Sequence, residues 1–125
     1  MLLNITGHYF NSLQQFRFLT YSFLPIFKQV LSVCHEIKKK FLDFPPTLVI
    51  EILSPATALK DRHTKFEIYQ QQKIRYYLIV SPEEEMVEVY ELEDEEYVLR
   101  IKEHAFNYNF TLDNCNTSVD FNEIW

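Results

Sequence analysis

Two polarity patterns meet near the middle of the chain. Residues 47–54, "TLVIEILS", and 75–81, "RYYLIVS", are nearly unbroken apolar runs. Strands covered on both faces read this way, because neither set of alternate side chains meets water. Further on, "MVEVYEL" at 86–92 and "EEYVLRIKE" at 95–103 alternate apolar and polar residues, which predicts half-exposed strands. Between the two buried runs, residues 58–72 are polar except for Leu59, Phe66, Ile68 and Tyr69, a partial stripe at helical spacing. Buried strand, helix, buried strand is the order of a parallel βαβ unit, and the two alternating runs predict an antiparallel hairpin.

The remaining segments are less decided. Residues 9–24, "YFNSLQQFRFLTYSFL", suit an apolar helix or an early strand, ended by Pro25, and "FKQVLSVC" at 27–34 reads as a short strand. Pro45 and Pro46 fix the backbone ahead of the first buried strand. Ser54-Pro55 ends that strand, and Ser54 or Thr57 supplies a helix cap. "NFTL" at 109–112 predicts a short edge strand, and "SVDFNEIW" a final helical turn docking Phe121, Ile124 and Trp125. The order predicts an α/β or α+β domain on one mixed sheet. A length of 125 residues suits a single domain, residues 1–125, with one modest core.

Composition narrows the chemistry. Gly7 is the only glycine, so no Gly-rich phosphate loop exists and turns fall to Pro, Asn and Asp. A net charge of −6 disfavours tight non-specific binding to a phosphate backbone, but leaves carboxylates for a metal. Cys34 and Cys115 lack zinc-type spacing and fit a reducing compartment. His8, His35, His63 and His104 are scattered. The acidic run from Glu83 to Glu96 lacks calcium-loop spacing and reads as a solvated hairpin face. Arg17, Pro25 and Lys28 interrupt the apolar stretch at 16–33, and no secretory signal is visible, so the expectation is a cytoplasmic protein without a membrane span.

One residue breaks the pattern. Glu51 sits inside the first buried strand, sharing a face with Thr47, Val49 and Leu53. A buried carboxylate without a partner costs several kcal/mol, so a metal ion, a cation or water must meet it. Lys65 is the natural partner, because the helix packs back across the strand that it follows. Asp61, Lys65 and Tyr69 share one helix face at four-residue spacing. On the residues alone, a salt-bridged Glu51 and a catalytic one remain equally open, and spacing favours reading Asp61–Lys65 as an exposed helical pair.

"PTLVIEILSPAT", "KDRHTKFEIYQQQKIRYYLIVSP" and "VEVYEL", in this order, resemble the Uma2 family of restriction-endonuclease relatives, within the PD-(D/E)XK nuclease superfamily. The likeness runs from about Val33 to the C-terminus. It implies a restriction-endonuclease-like fold, a mixed sheet flanked by helices. It also implies hydrolysis of DNA phosphodiester bonds with Mg²⁺ at one end of the sheet. Glu51 matches the strand carboxylate and Lys65 the family's lysine, supplied here by the helix because Leu53 occupies the superfamily's usual position. Asp61 matches the acidic residue one turn before the lysine, and the main-chain carbonyl of Ile52 is a further metal ligand on this pattern. A homodimer is compatible with double-strand cutting, though no stretch reads as an interface.

The departures from the family are specific. Gln29 or Val30 stands where the family places its first metal-binding Asp. Residues 1–30 are atypical and shorter than the family's N-terminal part. With that Asp missing, Mg²⁺ keeps Glu51, carbonyls and water unless Asp61, Glu36 or Asp43 compensates. The expectation is a nuclease-type domain of weak or absent activity. The alternatives are a catalytically inactive remnant or protein-binding module of the same fold, or an interaction module working through the acidic hairpin.

Overall fold

The structure, a computed structural model, describes residues 4–8, 17–22, 28–33, 46–53, 55, 58–112, 116–122 and 124–125. The strands before residue 46, together with residues 58–61 and 117, are described by backbone alone. The elements in chain order are β1 (Asn4–His8), β2 (Arg17–Ser22), β3 (Lys28–Val33), β4 (Leu48–Ile52), α1 (Ala58–Gln71), β5 (Tyr76–Ser81), β6 (Met86–Glu93), β7 (Glu96–Glu103), β8 (Asn107–Thr111) and β9 (Asn116–Asp120).

Six strands form one mixed sheet in the order β2-β3-β4-β5-β6-β7. The only parallel neighbours are β4 and β5, joined through α1, while every other pair in the sheet is antiparallel. The βαβ unit and the β6–β7 hairpin therefore stand as the polarity pattern predicts, and the class is α+β. All six residues of β5 are buried, which fits a central strand with both faces covered. One face lies under α1. The other is covered by a three-stranded antiparallel sheet, β1-β9-β8, rather than by a second helix among the described residues.

Alternation sorts the side chains between the two faces. Leu48, Ile50, Tyr76, Leu78, Val80, Val87 and Val89 join Phe110, Leu112, Val119, Phe121 and Ile124 in the core between the sheets. Val49, Tyr77 and Ile79 face α1, with Ile74, Leu53, Phe66, Tyr69, Tyr90 and Tyr97 around them.

Two expectations change here. The tail does not make a helical turn: residues 116–120 form β9, which pairs with β1 on one side and β8 on the other. Those two ladders satisfy its backbone, which an isolated turn of helix at the chain end does not achieve. Phe121 and Ile124 are nevertheless buried, and the Trp125 indole donates to the His104 carbonyl at 2.6 Å. Of residues 9–24, the described part is strand β2, so the strand alternative holds there. Residues 9–16, 23 and 24, and the proposed caps Ser54 and Thr57, lie outside the described residues.

With one glycine, charged residues take the left-handed positions that glycine usually fills. Lys73 (φ 58°) ends α1. The Ile74 amide reaches the Tyr69 carbonyl and the Lys73 amide that of Gln70. This is a Schellman closure, sealed by Ile74 and Tyr69 in the same apolar cluster. Asp94 and Glu95, both with positive φ, turn the β6–β7 hairpin in two residues, as a type I′ geometry requires.

Candidate active site

Glu51 lies near the C-terminal end of β4 and is 1% exposed. Its neighbours Ile50 and Ile52 point to the intersheet core, so alternation turns Glu51 toward α1. The helix leaves β4 and returns antiparallel above it before β5 begins. That geometry brings Lys65 Nζ to 2.5 Å from Glu51 Oε1. Tyr69, one turn further along, donates its hydroxyl to Oε2 at 3.3 Å. The Lys65 side chain keeps 24% of its surface exposed, so a deeply buried acid is joined through its partner to the solvent side of the helix.

The other sequence-derived candidates are placed less completely. Asp61 stands one turn before Lys65 in the first turns of α1, with its side chain outside the described residues. Ile52 is the last residue of β4, opposite Val80 in the parallel register. Glu36 and Asp43 fall outside the described residues. The strand register does settle which residue adjoins Glu51: Gln29 is its partner on β3, whereas Val30 pairs with Ile50 and so belongs to the opposite face. A neutral amide thus occupies the neighbouring position.

A second buried acid, which sequence reasoning assigned to an exposed face, lies in the same row. Across the sheet the register runs Gln29, Glu51, Ile79, Glu88, Lys102. Glu88 is 2% exposed. Arg62 donates to its Oε1, Lys102 Nζ lies 3.1 Å from the same oxygen, and Tyr90 donates to Oε2 at 2.5 Å. Burial pushes the Glu88 carboxyl up, but hydrogen bonds from Arg62, Tyr90 and Lys102 outweigh it and hold the group below the ordinary carboxylate value. The bond to Glu88 in turn raises the Arg62 guanidinium. The alternation of 86–92 predicts an exposed polar face; it becomes a covered one because α1 and the tyrosines overlie Glu88 and Tyr90. Its one sequence signal was the Val87–Glu88–Val89 triplet, which mirrors Ile50–Glu51–Ile52.

Tyrosines line the space around both acids. Burial pushes the Tyr90 hydroxyl up to about 12, aided by its bond to Glu88, and burial raises Tyr97 as well. Tyr97 donates to the Ile74 carbonyl at 2.7 Å. The fully buried Tyr77 hydroxyl has no hydrogen-bond partner among the described residues. It too is raised, first by burial and then by the negative charge of Glu51.

The described side chains around Glu51 do not by themselves make up a set that Mg²⁺ favours. Among the described residues no group of three His, Cys, Asp or Glu side chains is placed to hold a metal ion. In the strand register Glu51 stands between Gln29 and Ile79, and one of its oxygens already carries the Lys65 contact. Mg²⁺ sheds water reluctantly and needs carboxylate support. Among the described residues, no helix is long and apolar enough to cross a membrane.

Comparison with known proteins sets these side chains in a lineage. A search of curated proteins finds no match. A family model, Uma2, described as "Putative restriction endonuclease", matches residues 29–109, from β3 through β8. The match contains Glu51, Lys65 and Glu88 and covers more than half of the chain. The chain belongs to the Uma2 family.

Proposed function

We propose that the domain acts on DNA as a phosphodiesterase of restriction-endonuclease type, with Glu51 and Lys65 at its reacting centre. The observation that carries this reading is the ion pair between a fully buried strand acid and a partly exposed helix lysine at the C-terminal end of a parallel strand. A chain that needed only stability would gain as much from apolar residues of similar size, since desolvating two charges offsets most of their attraction. Family membership supports DNA as the substrate class.

In this reading the Lys65 ammonium contacts a phosphate oxygen and stabilises the charge that develops there. Glu51 fixes the ammonium and accepts a proton from the attacking water. Tyr69 orients the carboxylate through Oε2. Asp61, one turn from Lys65, is the third residue of the proposed set. Mg²⁺ dependence follows from the family resemblance alone. Gln29 opposite Glu51, where the family places an Asp, argues for weak metal retention, and hence for slow cleavage.

Supercoiled-plasmid nicking in Mg²⁺ or Mn²⁺ tests the proposal. Slow nicking that EDTA abolishes and Glu51→Gln removes is the expected result. Nicking unchanged in Glu51→Gln removes this acid from the chemistry. A second reading, a catalytically inactive member that retains the fold for binding, is favoured by Gln29 opposite Glu51. No nicking under any condition, with no thermal stabilisation by either cation, establishes that reading instead.

A further inference from the structure

Glu88 lies outside the proposed chemistry, yet it is nearly as deeply buried as Glu51 and is bonded by Arg62, Tyr90 and Lys102. It sits two strands away in the same row, about 10 Å across the sheet. Its helix partner, Arg62, is three residues before Lys65, so the two cations lie on adjoining positions of one helix face. Two diverging cations therefore tie α1 to two separate strands.

We infer that Glu88 is a positioning residue that seats α1 through Arg62, so that Lys65 meets Glu51. The inference rests on Lys65 being the site lysine of the proposed function. A single ion pair fixes one distance and leaves the helix free to pivot about it. A second pair, two strands away, fixes rotation and axial position together. The anchor is set from the sheet side: Tyr90, two residues along the same strand, bonds Oε2, and Lys102 of β7 bonds Oε1 beside Arg62. Glu88 therefore keeps its orientation whatever α1 does, and the helix aligns to it. Among the described side chains of the helix, Phe66 and Tyr69 are the members of the core cluster, and they are a weak guide to its setting. Their rings meet tyrosines edge-on and tolerate small rotations.

Lysine reactivity reads this directly. Wild type, Glu88→Gln, Arg62→Gln and Arg62→Lys are pulse-labelled with an amine acylating reagent under native conditions, and each lysine is quantified by peptide mass spectrometry. Lys65 labelling is expected to rise several-fold in Glu88→Gln and Arg62→Gln, and to return close to wild type in Arg62→Lys. Lys73, exposed at the far end of α1 beside Glu95, serves as the internal control and is expected to stay unchanged. Labelling of Lys65 at the wild-type rate in folded variants overturns the inference. So does a parallel rise at every lysine, which marks general loosening. If Glu88→Gln does not fold, Arg62→Gln decides, because Arg62 is partly exposed and its loss leaves Glu88 bonded to Lys102 and Tyr90. No cleavage is needed for this readout. A wild type without nicking activity therefore overturns the proposed function and leaves the positioning result standing.

Discussion

The same strands build two unlike faces. Toward the small sheet, the buried side chains of β4, β5 and β6 are aliphatic apart from Tyr76, and they meet Phe110, Leu112, Val119, Phe121 and Ile124. Toward α1, one residue along, the same strands present Glu51, Tyr77, Glu88 and Tyr90. The first face stabilises the fold by removing apolar surface from water, about 25 cal/mol per Å². The second spends much of its Coulombic attraction on desolvation. Its value lies in fixing where two cations stand. The dry face holds the sheet together; the polar face sets the geometry of the site on it.

That contrast is open to attack. The largest loss is expected on the dry face: Phe121→Ala, fully buried between the sheets, lowers unfolding free energy by about 3–5 kcal/mol, measured by urea denaturation. On the polar face, Lys65→Met removes the cation from a buried carboxylate and costs about 2–3 kcal/mol, below the fully buried case because Lys65 is partly exposed and Tyr69 still bonds Glu51. The double variant Glu51→Gln/Lys65→Met recovers most of that loss, since both charges of the pair are then gone. An equal loss in both variants contradicts the contrast.

Smaller effects follow from titration. The Glu88 carboxyl is held below its ordinary value of 4.5. Its contribution is therefore present above that pH and fades as pH falls through the folded-state value. Thermal melts between neutral pH and pH 3 are expected to show a shallower acid decline in Glu88→Gln than in wild type. At the alkaline end the sign reverses. Tyr90 is pushed up to about 12, so the unfolded chain ionises this tyrosine first, and stability is lost as pH rises from about 10. Tyr90→Phe lessens that decline. Smallest of all, Tyr77→Phe removes a buried hydroxyl that lacks a partner. Stability is expected to stay level or rise by up to about 1 kcal/mol. A clear loss means that this hydroxyl has a partner in solution.

Local pattern determined much of this protein. Near-continuous apolar runs placed β4 and β5, the helical stripe between them made their pairing parallel, and alternation gave the β6–β7 hairpin. Glu51 stood out because a charge within such a run demands a partner, and the return of the helix across its own strand pointed to Lys65. The tertiary structure decided what pattern does not encode. Whether a polar strand face meets solvent depends on what covers it, so Glu88 looked like its exposed neighbours until α1 lay over it. Likewise "NTSVD" became a strand because β1 and β8 arrive on either side, a pairing across more than a hundred residues that no window along the chain contains. Register, too, is a relation between strands: only the pairing of β3 with β4 made Gln29, and not Val30, the neighbour of Glu51.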